Sequence, residues 1–131
     1  MTNRIPIILA LLAFTALPGA ALIPTAPAAA ACPPPPGLTG CWRGNDQGDY
    51  YIRQIGNEVV WVGLDRTTNG AGWTHMFHGV RNGNTINGRW RDVRGINGLG
   101  TLTLNVSGFS MVRTANTGSG FGGTRWGKAC I

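Results

Sequence analysis

Acidic side chains are scarce in this 131-residue chain: Asp46, Asp49, Glu58, Asp65 and Asp92 are all it has, and His75 and His78 are its only bases near neutral pH. General acid–base catalysis needs paired titratable groups, and no serine stands in a nucleophile-elbow motif. The sequence therefore reads as non-enzymatic, with no catalytic residue to name. His75 and His78 lie three apart in a strand-like segment, and odd spacing sends them to opposite faces. They cannot share a metal ion without a bulge, so no metal site and no cofactor are expected. The run Gly44-Asn45-Asp46-Gln47-Gly48-Asp49 lacks the twelve-residue spacing and distal glutamate of a calcium loop, and Asn, Asp and Gly together make a turn. The glycine-rich stretch 118–123 lacks the lysine and the strand–loop–helix context of a phosphate loop. Helical periodicity is also missing, which excludes a helical bundle.

The one long uncharged stretch lies at the start. Arg4, the apolar run from Ile5 to Leu17 and the small residues Ala28 to Ala31 form the n-, h- and c-regions of an export signal, residues 1–31. Pro6, Pro18, Pro24 and Pro27 argue against a membrane-spanning helix, so the mature form is expected without a transmembrane span, secreted or periplasmic. Pro33 to Pro36 read as an extended polyproline spacer, making residues 32–39 an N-terminal arm. The remaining residues, 40–131, are one small domain, able to bury only about 60–70 % of its unfolded surface.

Cysteine is sparse, at three. Export favours oxidation. Cys41 and Cys130 bracket the strand-like segments, and a bond between them would add about 4 kcal/mol in the chain-entropy model. Cys32 is the odd one: it can pair with Cys41 instead, stay a thiol, link two chains, or carry a lipid anchor after Ala30-Ala31.

Basic residues outnumber acidic ones. Without Arg4 the net charge is about +5, which draws a protein toward anionic glycans or envelope surfaces, or serves solubility alone. The arginines are scattered, with only Arg89, Arg91 and Arg94 close together, and no specific nucleic-acid binding is indicated.

Apolar residues alternate with period two between turn-forming glycines and asparagines. Eight strand-like segments follow: 40–43, 50–55, 58–64, 74–81, 85–92, 100–106, 109–114 and 124–128. The expected class is all-β, an antiparallel up-and-down meander closing into a small eight-stranded barrel. Gly56-Asn57, Asn82-Gly83 and Ser107-Gly108 are read as two-residue turns. The last would face Val106 with Phe109 and Leu104 with Met111. His75, Phe77, Ile86 and Trp90 share a face with Gly79 and Gly88. In the first hairpin both faces are apolar: Tyr50, Ile52, Val59 and Trp61 on one, Tyr51, Ile55, Val60, Val62 and Leu64 on the other. Surface valine and tyrosine, or a face covered by a second subunit in a dimer, both fit that pattern.

Five tryptophans stand in the mature domain. Most are expected in the core with their N–H groups on nearby carbonyls. Trp73 ends the loop that begins at Asp65 and contains Asn69, which places it at a barrel mouth, where an indole can stack on a sugar, cap a small ligand, or simply plug the barrel end. The candidate ligand-binding residues are Trp73, Asp65 and Asn69, with Arg89, Arg91 and Arg94 adding a preference for anions.

The strings Gly40-Cys41-Trp42-Arg43-Gly44-Asn45-Asp46, Tyr50-Tyr51-Ile52-Arg53-Gln54-Ile55-Gly56-Asn57, Gly83-Asn84-Thr85-Ile86-Asn87-Gly88-Arg89-Trp90 and Gly120-Phe121-Gly122-Gly123 resemble a glycine- and tryptophan-rich domain of uncharacterised bacterial secreted proteins. More distantly, Gly-x-Trp opening an eight-stranded meander is similar to avidin-like and lipocalin-like barrels. That likeness implies small-ligand binding inside a barrel. Two functions are thus expected: a secreted binding protein taking a small ligand or glycan at a barrel mouth, or an inhibitor or envelope interaction module using the proline-rich arm.

Overall fold

The computed structural model describes residues 37–129. Eight strands run β1 (Gly40–Gly44), β2 (Gly48–Ile55), β3 (Glu58–Asp65), β4 (Thr74–Asn82), β5 (Thr85–Arg94), β6 (Leu99–Ser107), β7 (Ser110–Asn116) and β8 (Arg125–Lys128). Each pairs antiparallel with its sequence neighbours, and β1 pairs with β8 to close the barrel. The all-β meander expected from the alternation is the fold, and closure leaves no free edge strand.

The period-two pattern maps onto the wall. Along β3 Val59, Trp61 and Gly63 point inward while Val60 and Val62 point out, and the other strands repeat the alternation. The inward set forms one core, in which Trp61 stacks on Phe77 with ring centroids 3.9 Å apart. Gly79 and Gly88 face each other across β4 and β5. A Cβ on either would run into the Phe77 ring, so this pair makes the room that ring needs. The second face of the first hairpin is exposed, Tyr51 by 50 % and Ile55 by 65 %.

Two turns differ from the sequence reading. Asn82 pairs with Thr85 and Ser107 with Ser110, so the central residues are Gly83-Asn84 and Gly108-Phe109 rather than Asn82-Gly83 and Ser107-Gly108. Gly56, Gly83 and Gly108 all have positive φ near 60° at the first central position, the φ pattern of a II′ turn, which requires glycine there. Val106 consequently faces Met111, and Phe109 sits exposed at the turn. A one-residue slip of the turn moves each partner by two places, so the assignment of inner and outer faces survives.

The end carrying these three tight turns is plugged by Leu38, which the sequence reading places in the arm. Leu38 is 1 % exposed and belongs to the core, and its carbonyl accepts the Trp42 indole N–H at 2.8 Å. The Thr39 hydroxyl accepts the Gln54 amide, and the Lys128 ammonium donates to the Gly37 carbonyl. Residues 1–36, which hold the expected export signal, Cys32 and most of the expected arm, lie outside the described residues.

Cys41 is buried and has no sulfur partner among the described residues, and burial pushes its thiol pKa up, with nearby Asp49 adding to the shift. Cys130 lies outside the described residues. The amide of Ala129 donates to the Cys41 carbonyl at 2.8 Å, which brings the residue before Cys130 alongside β1.

Candidate functional site at the open barrel mouth

In a meander every second connection lies at the same end. The β1–β2, β3–β4, β5–β6 and β7–β8 connections therefore gather opposite the Leu38 plug, and they are the four longer loops. Around them a cavity of ≈ 350 Å³ opens, lined by Asp46, Trp73, His75, Asp92, Ile96 and the glycines 72, 95, 120 and 122.

Each loop is held by its own sequence. Asn45 clamps the first loop to the last: its side-chain amide donates to the Thr124 hydroxyl at 2.7 Å, and its carbonyl oxygen accepts the amides of Thr124 and Arg125. Asp65 folds the second loop onto itself, accepting the Thr67 amide and the Thr67 and Thr68 hydroxyls at 2.7–2.8 Å, contacts that pull its pKa down. Asn69 takes a left-handed turn conformation, φ 51°, followed by Gly70 at 82°. Asp92 closes the third loop by accepting the Gly98 amide at 2.9 Å. Arg113 holds the fourth, donating to the Phe121 carbonyl at 2.9 Å while lying 6.0 Å from the Phe121 ring.

The floor of the cavity is aromatic. Trp73 lies flat on His75, centroids 5.0 Å apart and planes 6° from parallel. His75 is flanked by Phe121, centroids 4.7 Å apart, and by Tyr50, centroids 5.4 Å apart. Tyr50 is itself wedged edge-on between Trp61 and Trp126. Its hydroxyl donates to Asp46 Oδ2, while Asp46 Oδ1 accepts the Gly48 amide at 3.1 Å. Burial, then the charge of Asp46 and this bond, push the phenol pKa far up, so it stays a hydrogen-bond donor.

His75 is 5 % exposed, and burial lowers its pKa to about 4, although Asp46 and Asp92 pull the other way. The imidazole is therefore neutral at pH 7. No lysine or arginine lines the cavity, and neither Asp46 nor Asp92 forms an ion pair among the described residues. Asp49, by contrast, lies 3.5 Å from both Arg43 and Arg66. In a basic protein the cavity lining itself thus carries two carboxylates and no cationic side chain, with Arg113 the cation that Tyr50 feels.

Among the described residues, the expectation that the tryptophans satisfy their N–H groups on carbonyls is met by Trp42. The N–H groups of Trp61 and Trp90 and Nδ1 of His75 find no partner among the described residues, and the Trp126 N–H points at the Tyr50 oxygen without reaching hydrogen-bond geometry. Packing an aromatic cluster this densely leaves few carbonyls facing inward, since the wall's own backbone groups are engaged in the ladder.

Of the sequence candidates, Trp73 reaches the cavity. Asp65 and Asn69 shape the loop that carries it and do not line the cavity. Arg89 and Arg91 lie on the outer wall with Thr101, one lateral row apart, and line a separate groove. Arg94 is exposed at the end of β5. The structure adds Asp46, His75, Asp92, Tyr50 and Phe121. The repeating placement of every second loop at one end was the sequence signal that joins Asp46, Trp73, Asp92 and Phe121. His75 and His78 do take opposite faces, one buried and one exposed.

No family model, no curated protein and no solved structure matches the chain.

Proposed function

We propose that this is an exported, non-enzymatic binding protein that takes a small ligand or the end of a glycan at the open mouth of its barrel. One observation carries the reading: four loops converge on a cavity whose floor is the Trp73–His75 stack and whose rim holds two carboxylates without cationic partners. Aromatic faces match the apolar face of a sugar ring, and carboxylates accept paired hydroxyls or counter an amine. The cavity is at the lower end of the size range of small-molecule pockets. The interior beneath it is filled by side chains, which favours a ligand held at the mouth over one swallowed by the barrel.

The local charge favours neutral or amine-bearing sugars over acidic ones. Titration with glucosamine, glucose and glucuronic acid, followed by tryptophan fluorescence, tests it. The expected order of affinity is glucosamine, then glucose, then glucuronic acid, with the amine preference lost in Asp92→Asn. No fluorescence response to any of the three, or tightest binding of glucuronic acid, overturns the reading.

A further inference from the structure

The outer wall of β2 to β6 carries a second feature, remote in composition from the mouth. Reading across the sheet, Tyr51, Val62, Met76, Arg91 and Leu99 are consecutive cross-strand partners and form one lateral row. Arg53, Val60, His78, Arg89 and Thr101 form the next. Met76 is 54 % exposed and Leu99 57 %, with Tyr51, Val60 and Val62 also exposed. A groove of ≈ 590 Å³ runs between Val60, Met76, Arg89, Arg91, Leu99 and Thr101. None of Arg53, Arg89 and Arg91 makes an ion pair among the described residues. Neither row contains an acidic side chain; Glu58, in the row below, lies 3.9 Å from His78.

We propose that this face docks on the surface of a bilayer containing anionic phospholipid. The charge and the apolar content choose the occupant together. A second copy of the chain is disfavoured, because a two-fold contact brings two copies of the same face together and neither row holds an acidic side chain to meet the other copy's arginines. A polyanion such as an acidic glycan satisfies the arginines but makes no use of exposed methionine, leucine and valine. An anionic lipid surface uses both: phosphates meet Arg53, Arg89 and Arg91, and the aliphatic side chains enter the headgroup boundary beside them.

Co-sedimentation of the full chain with vesicles tests this, comparing pure phosphatidylcholine with phosphatidylcholine containing 30 % phosphatidylglycerol. The neutral vesicles register any partition of the apolar N-terminal stretch, which the comparison removes. The wild type is expected to favour the anionic vesicles, and Arg89→Gln/Arg91→Gln to lose about 10- to 30-fold of that preference, as does raising salt to 0.5 M. Met76→Ser/Leu99→Ser is expected to weaken vesicle binding several-fold while leaving heparin binding unchanged, which separates a lipid surface from a polyanion. All four side chains are exposed, and an unchanged melting temperature verifies that the variants fold. Equal partition into both vesicle types, full anionic-vesicle binding by the arginine variant, or indifference of vesicle binding to the Met76/Leu99 variant overturns the proposal.

Discussion

The Trp73 indole and the His75 imidazole lie face to face, 5.0 Å between centroids and 6° between planes, with the tryptophan half-buried in the cavity floor and the histidine sealed beneath it. They are two residues apart on the chain, at the start of β4, where a bulge between Thr74 and His75 shifts the register with β5. The mouth's aromatic floor thus begins where a loop becomes a strand.

That burial makes the fold sensitive to mild acid. The pKa of His75 falls from 6.5 to about 4 on folding. Between those two values the unfolded chain takes up a proton that the folded chain declines, so its contribution is complete above pH 6.5 and is lost as pH falls toward 4. The loss approaches roughly 3 kcal/mol below pH 4. Urea denaturation at a series of pH values should show this slope, and His75→Phe should flatten it.

Truncating the stack separates binding from folding. Trp73→Ala should weaken ligand binding at the mouth by about 10- to 30-fold, while costing on the order of 1–2 kcal/mol of stability because the ring is only half-buried. Calorimetric titration and thermal melts measure the two effects independently.

The glycine pair in the wall sets a further expectation. A Cβ on Gly88 would overlap the His78 carbonyl oxygen, the Phe77 ring and the Gly79 backbone, and two of those three are main chain that cannot swing aside. Gly88→Ala should destabilise by about 1–3 kcal/mol or more. At Gly127 an added Cβ meets nothing within 4 Å, so Gly127→Ala should change stability by no more than about 0.5 kcal/mol. Paired denaturant curves give the comparison directly.

Cys41 should be shielded from reagents. With a reductant present, Cys41 is a thiol that is 3 % exposed and has a raised pKa, so iodoacetamide is expected to leave it unmodified while the domain stays folded. We propose that the exported protein links it to Cys130. In that case, labelling after unfolding requires a reductant, and non-reducing peptide maps join the two ends of the domain.

The wall of the barrel was legible in the sequence because strand alternation has a period of two and tolerates errors in the turns. Placing the turn at Asn82-Gly83 instead of Gly83-Asn84 slips the register by two places yet keeps Phe77, Ile86 and Trp90 inside. The mouth was harder to read. Trp73 was visible as an aromatic next to a loop, but Asp46 and Asp92 look like ordinary turn residues, and each does serve its own loop. Their convergence depends on chain closure, which joins loops 46 residues apart. The arginines misled for a related reason: Arg89 and Arg91 are near Arg94 on the chain, but strand alternation and length carry them down the outer wall, away from the rim.

The five indole N–H groups offer the most direct test of the claim that the mouth is the binding site. In a nitrogen–proton correlation spectrum they give separate signals, with Trp73 at the mouth and Trp42 bonded to Leu38 at the plugged end as the internal reference. Titration with glucosamine is predicted to shift Trp73 most, and to leave Trp42 in place. A shift of Trp42 with Trp73 unmoved, or no shift at any indole through a saturating series of neutral, amine-bearing and acidic sugars, would contradict the account.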